Sequence, residues 1–189
     1  MSVEEIHLDE AVIERMAALN HQIYCEMMRA NGYTYGPTRD DVLRTRPLLT
    51  DYAAIPETNK QSNRNVVASI PEKIHAINCI ITTARSDAYL PTTEEIEFLA
   101  KMEHERYVVD MIKAGWRFGR QYNESTKENP TLIPWDQYIE GQFQEKYPEA
   151  IAKLGPGPLS EEERQKDRNQ VKGYVTLLER SGFSLIKKP

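Results

Sequence analysis

The sequence is poor in cysteine, in long apolar runs and in excess positive charge, and each scarcity excludes a class of protein. Two cysteines among 189 residues provide no disulfide framework. No apolar run approaches the roughly 18–20 residues that cross a bilayer, and the longest fragments are pairs such as Ile80-Ile81 and Val108-Val109. The acidic start of the chain lacks the basic and apolar regions of a signal peptide. We therefore expect a soluble, cytoplasmic protein with no membrane partner.

Charge balance and composition also limit the partners and the fold. Lys plus Arg number 24 against 29 Asp plus Glu, which gives a formal charge of −5. Because sequence-independent nucleic-acid binding requires a basic surface, no nucleic-acid partner is expected, although a local basic pocket stays open. With 40% apolar residues, nine Gly and eleven Pro, the composition is that of a globular protein. The length suits one domain or two small ones.

An internal repeat is the strongest pattern in the chain. At an offset of 83 residues, His21–Gly36 matches His104–Gly119. Each segment contains a helix-ending glycine followed by an aromatic residue, any residue, a second aromatic residue and another glycine. The register continues downstream, where Tyr52 falls on Trp135. Two matched blocks with shared spacing indicate a duplicated structural unit.

The second half of each copy is matched at a larger offset. Residues 60–67 match residues 164–171 at 104 residues, so the second copy contains an insertion within about 136–158. The repeat therefore predicts two domains, a first copy over 1–84 and a second over 85–189.

Each copy is predicted to contain helices in the same order. Apolar residues at three-to-four spacing predict an amphipathic helix over 9–30, ended by Gly32. In the second copy Thr92 and Glu95 have the spacing of a capping box, and the helix is expected to stop at Gly115. After a loop rich in aromatic residues and proline, each copy is predicted to add two shorter helices.

Further capping boxes mark the predicted starts of these shorter helices. One is Ser160–Glu163, with a helix to about Gly173, and another is Ser69–Glu72, with a proline in the first turn. No stretch alternates convincingly between apolar and polar residues, so strands are predicted to be absent or marginal and the fold class all-α. The insertion predicts an extra amphipathic turn or two before a breaker at 155–158.

The segment after the first helix resembles a known family. Gly32-Tyr-Thr-Tyr-Gly-Pro-Thr-Arg-Asp-Asp41 resembles the ryanodine-receptor (RyR) repeat. Tyr33 stands where the family usually has Trp. The second copy keeps Trp116 but has Arg120-Gln-Tyr-Asn123 where Pro-Xaa-Arg-Asp is common.

The resemblance implies an all-α tandem module whose two copies face each other with pseudo-two-fold symmetry. Such modules occur in the cytosolic shell of calcium-release channels and as stand-alone bacterial proteins. The conducting parts of those channels are transmembrane, so no ion conduction is expected here. In the receptor pair an adenine nucleotide is understood to sit between the repeats, against the aromatic residue after each loop glycine. Tyr33 and Trp116 occupy those positions.

The candidate ligand-binding residues come from both loops and from recurring polar positions. Two aromatic rings could form a stacking slot for a planar base, and neighbouring arginines could neutralise phosphates. The candidates are Tyr33, Tyr35, Arg39, Asn63 and His21 in the first copy, and Trp116, Phe118, Arg117, Arg120, Asp167 and His104 in the second. Alternatives stay open: the aromatic rings fold back onto the core, the histidines cap a loop carbonyl, and the helical polar residues form a solvated face.

A histidine and a cysteine four residues apart occur twice, at His21–Cys25 and His75–Cys79. Two such pairs could hold zinc in a tetrahedral site, and one pair could act as a nucleophile and its base. In the internal repeat, however, the first cysteine falls on Val108 and the second on Phe183, which favours apolar core positions. We expect no metal, no cofactor and no enzymatic activity.

The leading hypothesis is a non-catalytic tandem RyR-repeat protein that binds a small molecule, an adenine-type nucleotide, between its halves. The competing hypothesis is a protein-interaction or scaffold module, in which the cleft or the insertion grips a partner helix or peptide.

Overall fold

The computed structural model describes residues 3–137 and 141–188. Helices account for about 51% of the structure. The elements in chain order are α1 (Glu10–Ala30), β1 (Thr34–Tyr35), β2 (Thr45–Arg46), a 3-10 turn (Tyr52–Ala54), α2 (Glu57–Ala76), β3 (Cys79–Thr83), α3 (Thr93–Lys113), β4 (Arg117–Phe118), β5 (Glu128–Asn129), α4 (Gly141–Lys146), α5 (Pro148–Ile151), α6 (Glu161–Arg180) and β6 (Phe183–Lys187).

The chain divides into two compact units. The first unit comprises Met1–Leu90 and Gly173–Pro189, and the second comprises Pro91–Lys172. The repeat boundary near residue 84 concerns the duplication in the sequence and stays a prediction. Among the residues described, no helix is both long and apolar enough to span a bilayer.

The long first helix of each copy begins and ends as the sequence predicts. The Asp9 side chain accepts a hydrogen bond of 2.9 Å from the amide of Val12 at the start of α1. At the start of α3, Thr92 and Glu95 form both hydrogen bonds of a capping box. Each helix is followed by a glycine with positive φ, 81° at Gly32 and 91° at Gly115. Only glycine adopts this conformation without strain, so the chain turns at these residues.

The prediction of two shorter helices after each loop is wrong, because in each copy a single long helix stands in their place. α2 continues through Pro71, and α6 continues through Gly173. The Ser69 hydroxyl donates to the carbonyl of Val66 instead of capping a new helix. One apolar face runs unbroken along α2 and is buried, including Ile70 and Ile74. Its burial outweighs the roughly 3 kcal/mol that an internal proline costs a helix.

The prediction of an all-α fold with absent or marginal strands is confirmed only in part, because a few short strands form. β3 and β6 are five-residue strands that pair antiparallel in the first unit. Two-residue parallel pairs also form within the loops, β1 with β2 and β4 with β5. The sequence signal for β3 is weak because Cys79–Thr82 is buried on both faces, so its residues do not alternate in polarity. The fold is mainly helical rather than all-α.

The β3–β6 sheet is centred on two residues that the repeat also relates. Ile81 lies opposite Leu185, and both are buried. On the outer side of each strand, one backbone amide donates to this central residue: Ile6 to Ile81 over 2.8 Å, and Tyr89 to Leu185 over 2.7 Å. The residues of these two bonds correspond through the same sequence offsets. Both outer edges of the sheet are thus occupied at their midpoints.

The inserted residues of the second unit pack onto that unit's own core. α4 and α5 are the extra helical turns that the sequence predicts. They bury Phe143 and Ala150 in one cluster with Val108 and Leu132. Residues 138–140 of the insertion lie outside the described residues. The apolar side chains of α4 and α5 in this cluster are therefore used inside the unit.

Replacing Leu185 by Ala should lower the free energy of unfolding by about 2–5 kcal/mol, because the substitution leaves a cavity at the centre of the β3–β6 sheet. Urea denaturation measures this change. The control is Leu43→Ala, which removes a leucine that is 72% exposed and should change stability by less than about 0.5 kcal/mol. Equal effects of the two substitutions would contradict the central position of Leu185.

Candidate functional site

The same turn positions the aromatic residue that follows each helix-ending glycine. The amide of Tyr33 donates to the carbonyl of Met28 over 3.0 Å, and that of Trp116 to the carbonyl of Met111 over 3.0 Å. Both aromatic residues are half-buried. Each ring is therefore fixed at its base and partly open at the start of a long loop.

In the first unit, an arginine covers one face of the Tyr33 ring. The guanidinium carbon of Arg46 lies 4.5 Å from the ring centroid, which is a cation–π contact. Arg46 also pairs with Asp41, whose other near neighbour is Arg39 at 3.9 Å. The side chain of Arg39 is 59% exposed. The loop thus presents a ring and two guanidinium groups within one short segment.

In the second unit, another aromatic ring covers Trp116. The centroids of Trp116 and Tyr122 are 5.4 Å apart and their planes are inclined at 30°. Arg117 contacts Glu128 over 3.2 Å, and both Arg117 and Arg120 are exposed. Trp116 also packs against the core cluster of this unit.

Sequence reasoning missed Arg46 and Tyr122 as neighbours of the two rings. Tyr122 could have been found, because it occupies the position of Arg39 at the 83-residue offset. Arg46 carried no such signal, since the equivalent residue of the second copy is Asn129. The two loops therefore share an aromatic residue but differ in what lies against it.

The second aromatic residue of each loop has a different environment in the two units. Tyr35 is 62% exposed. Phe118 is half-buried and packs against the core cluster, and its backbone amide donates to the carbonyl of Lys153 in the insertion over 2.9 Å.

The recurring histidines anchor each loop to the preceding helix. Nε2 of His21 lies 2.8 Å from the carbonyl oxygen of Thr50, and Nε2 of His104 lies 2.7 Å from that of Ile133. Both histidines are buried. Because a carbonyl only accepts, each Nε2 carries the proton and donates. This is the contact predicted for a histidine that serves the fold.

The other nitrogen of His104 faces a carboxylate. Nδ1 lies 3.3 Å from Oδ2 of Asp167 on α6. Since Nε2 already donates to Ile133, a hydrogen bond at this contact requires one more proton, held by the histidine or by the aspartate. Burial raises the pKa of Asp167 above its usual 3.8, and the contact with His104 opposes the rise. Asp167 is thus a partly buried carboxyl group whose pKa is raised, placed against a buried histidine.

The first unit has neutral amides at the corresponding positions. Asn20 donates to the side chain of Asn63 over 2.8 Å, whereas the second copy has Glu103 and Asp167 there. The buried Glu103 carboxylate accepts two hydrogen bonds from Arg106, of 2.6 and 2.9 Å. Asn63 and Asp167 thus take part in side-chain contacts with the first helix of their own unit rather than lying on a solvated face.

The arginine after each of these residues ties the two long helices of its copy together. Each guanidinium contacts one carboxylate on the first helix and one at the start of its own helix. These contacts join Arg64 to Glu14 and Glu57, and Arg168 to Glu97 and Glu161. The hydrogen bonds with the guanidinium groups hold the pKa of Glu14 and of Glu97 below the usual value.

The two His–Cys pairs are in different surroundings. Sγ of Cys25 lies 3.4 Å from Nε2 of His21, and burial raises the pKa of its thiol. Cys79 is buried in β3, while the ring of His75 contacts Glu5. In the part of the chain that the structure describes, no group of three or more His, Cys, Asp or Glu side chains could hold a metal ion.

A separate, shallow depression with a cavity volume of about 20 Å³ lies beside the His104 anchor in the second unit. Its apolar lining includes Trp135, Phe143 and Leu154, and Lys101 pairs with Asp136 over 2.9 Å among its lining residues. At that volume it has room for about one water molecule and not for a nucleotide.

Comparison with protein families assigns the first copy. Residues 2–83 match the family model of the RyR domain. Residues 2–83 are therefore a RyR domain. The second copy lies outside the matched residues, so its membership of the family stays a prediction.

Replacing Asp167 by Asn should remove one source of pH dependence from stability. A carboxyl whose pKa is raised by folding contributes stability below its unfolded pKa, near 3.8, and loses it as the pH rises through the folded pKa. The stability of Asp167→Asn relative to the unsubstituted protein should therefore increase between about pH 4 and pH 7. Urea denaturation across this range measures the difference. The exposed Glu124→Gln is the control, and a pH-independent difference for Asp167→Asn would contradict the assignment.

Proposed function

We propose that this RyR-domain protein is a pair of RyR-type repeats and that it binds a small ligand, an adenine-type nucleotide, without catalysing a reaction. The assignment of the second copy is supported by contacts that recur at equivalent positions. They include the histidine anchors, the arginine links between helices, and a cation over an aromatic ring, which is Lys60 over Tyr52 and Arg164 over Trp135.

The observation that carries the ligand proposal is an aromatic ring combined with exposed arginines at the start of each loop. Stacking of a base on an aromatic side chain is worth roughly 1–3 kcal/mol. A guanidinium can bind phosphate oxygens through two parallel hydrogen bonds. Trp116 offers the larger ring, and Arg117 and Arg120 are exposed on the same loop. The same chemistry is present at Tyr33, where Arg39 is exposed.

The neighbour of Trp116 determines how a base would enter. A base sandwiched between two rings needs contacts of about 3.5–4.0 Å on each side, which the 5.4 Å separation from Tyr122 does not allow. Tyr122 is 52% exposed, so it can swing away with little loss of burial. On binding, the nucleotide base therefore takes the place of the Tyr122 ring against Trp116, while the backbone of Trp116 stays where it is.

The first test is a thermal-shift screen with ATP, ADP, NAD and cyclic nucleotides. A ligand that binds only the folded state raises the melting temperature increasingly with its concentration. We expect at least one of these nucleotides to do so at concentrations up to the millimolar range. An unchanged melting temperature with all of them would overturn the nucleotide proposal.

Substitutions then locate the site. Trp116→Ala should abolish the ligand-induced shift while the protein stays folded, and Trp116→Phe should retain part of it because a ring remains. Tyr122→Ala should keep or strengthen binding, since it removes the competing contact. Phe98→Ala is the matched control, because Phe98 is 50% exposed on α3. If Trp116→Ala leaves the shift intact, the ligand does not bind at Trp116 and this site assignment is wrong.

A further inference from the structure

In the second unit, a segment of the insertion lies along the outer side of β4. The amide of Phe118 donates to the carbonyl of Lys153 over 2.9 Å, and the amide of Gly155 donates to the carbonyl of Leu132 over 3.0 Å. Residues 153–155 thus bridge the two ends of the loop through their backbone, in the manner of an added strand.

The Phe118 ring restricts the residue at position 155. A Cβ atom placed on Gly155 would lie 2.4 Å from ring carbons of Phe118, closer than real Cβ atoms come to other atoms. Glycine at this position lets the backbone approach the ring. The site that holds residues 153–155 therefore has three parts: the N–H of Phe118, the carbonyl of Leu132 and an aromatic ring that leaves room only for glycine.

The first unit has the same three parts without the segment that covers them. The amides of Thr34 and Gly36 donate to the carbonyls of Arg44 and Arg46 over 2.9 and 3.3 Å, so the amide of Tyr35 between them points to the opposite side. No residue that the structure describes accepts from this amide, and none donates its backbone N–H to the carbonyl of Leu49. The ring of Tyr35 corresponds to that of Phe118 and is mostly exposed.

We propose that this open edge of the first unit, formed by the Tyr35 amide and ring and the Leu49 carbonyl, binds an extended segment of a partner protein with a glycine against the ring. The partner supplies a segment that takes the same place in the first unit as residues 153–155 take in the second. The proposal does not depend on nucleotide binding, and the failure of either leaves the other standing.

A positive charge on the helix of the first unit favours an acidic residue before the glycine. In the second unit, Leu154 packs against a cluster that contains Ile112. The residue of the first unit that corresponds to Ile112 is Arg29, which is exposed. Its acidic neighbour Glu26 is already paired with Arg180 through two hydrogen bonds. An acidic side chain before the glycine therefore complements the first unit, where leucine suits the second.

The loop of the first unit also exposes apolar side chains that the second lacks. Val42 is 91% exposed and Leu43 is 72% exposed, while the equivalent residues are Ser125 and Thr126. Adjacent exposed apolar residues are typical of a surface that contacts another protein.

The test uses a fluorescent peptide with the sequence of residues 150–158 carrying Leu154→Glu, titrated into the full chain. We expect saturable binding, together with a change in the NMR amide signal of Tyr35. A second peptide that also carries Gly155→Val should bind at least about tenfold more weakly, because its side chain meets the ring.

Variants of the chain complete the test. Tyr35→Ala should weaken binding of the first peptide on the order of tenfold, and Tyr122→Ala, an exposed aromatic of the other loop, should not affect it. Thermal melting and the NMR spectrum establish that both variants are folded. The proposal is overturned by a lack of saturable binding at millimolar peptide, by equal binding to Tyr35→Ala, or by signal changes at Phe118 instead of Tyr35.

Discussion

The hydrogen bond from a buried histidine to a loop carbonyl is the interaction on which each candidate site depends. Between the helix-ending glycine and the next long helix, each loop has only two-residue strands and a few turns. Such a segment has little regular hydrogen bonding of its own. His21 and His104 lie near the middle of their helices, and each ring donates a hydrogen bond to a carbonyl at the far end of its loop. Because an unpaired buried carbonyl is costly, this bond fixes the path of the loop.

On this shared frame the two copies have diverged in charge and in exposed surface. Asn20 and Asn63 make a neutral contact, whereas Glu103 and Asp167 add two carboxylates beside the same histidine position. Around the aromatic residues, the first loop presents arginine and the second presents tyrosine. The frame is retained while the groups that a ligand or partner would contact differ.

The sequence predicts the features that are encoded by neighbouring residues. The capping box at Thr92, the turns at Gly32 and Gly115 and the long first helices all follow from local spacing. Features that depend on distant residues could not be predicted this way. β3 is a strand because β6, more than 100 residues away, pairs with it, and α2 passes through Pro71 because its buried face continues. For the site, the repeat located the aromatic residues and histidines and could have located Tyr122, whereas Arg46, whose equivalent is Asn129, could be found only from the structure.

The occupied edges of the β3–β6 sheet have a consequence for how copies of this protein behave in concentrated solution. A bare strand edge is a template on which further chains can add by backbone pairing, the route by which sheets grow into fibrils. Here the amides of Ile6 and Tyr89 already bond the middle residue of each strand from outside. The middle carbonyl of each strand is therefore already used, which leaves a shorter edge on which a further chain could pair.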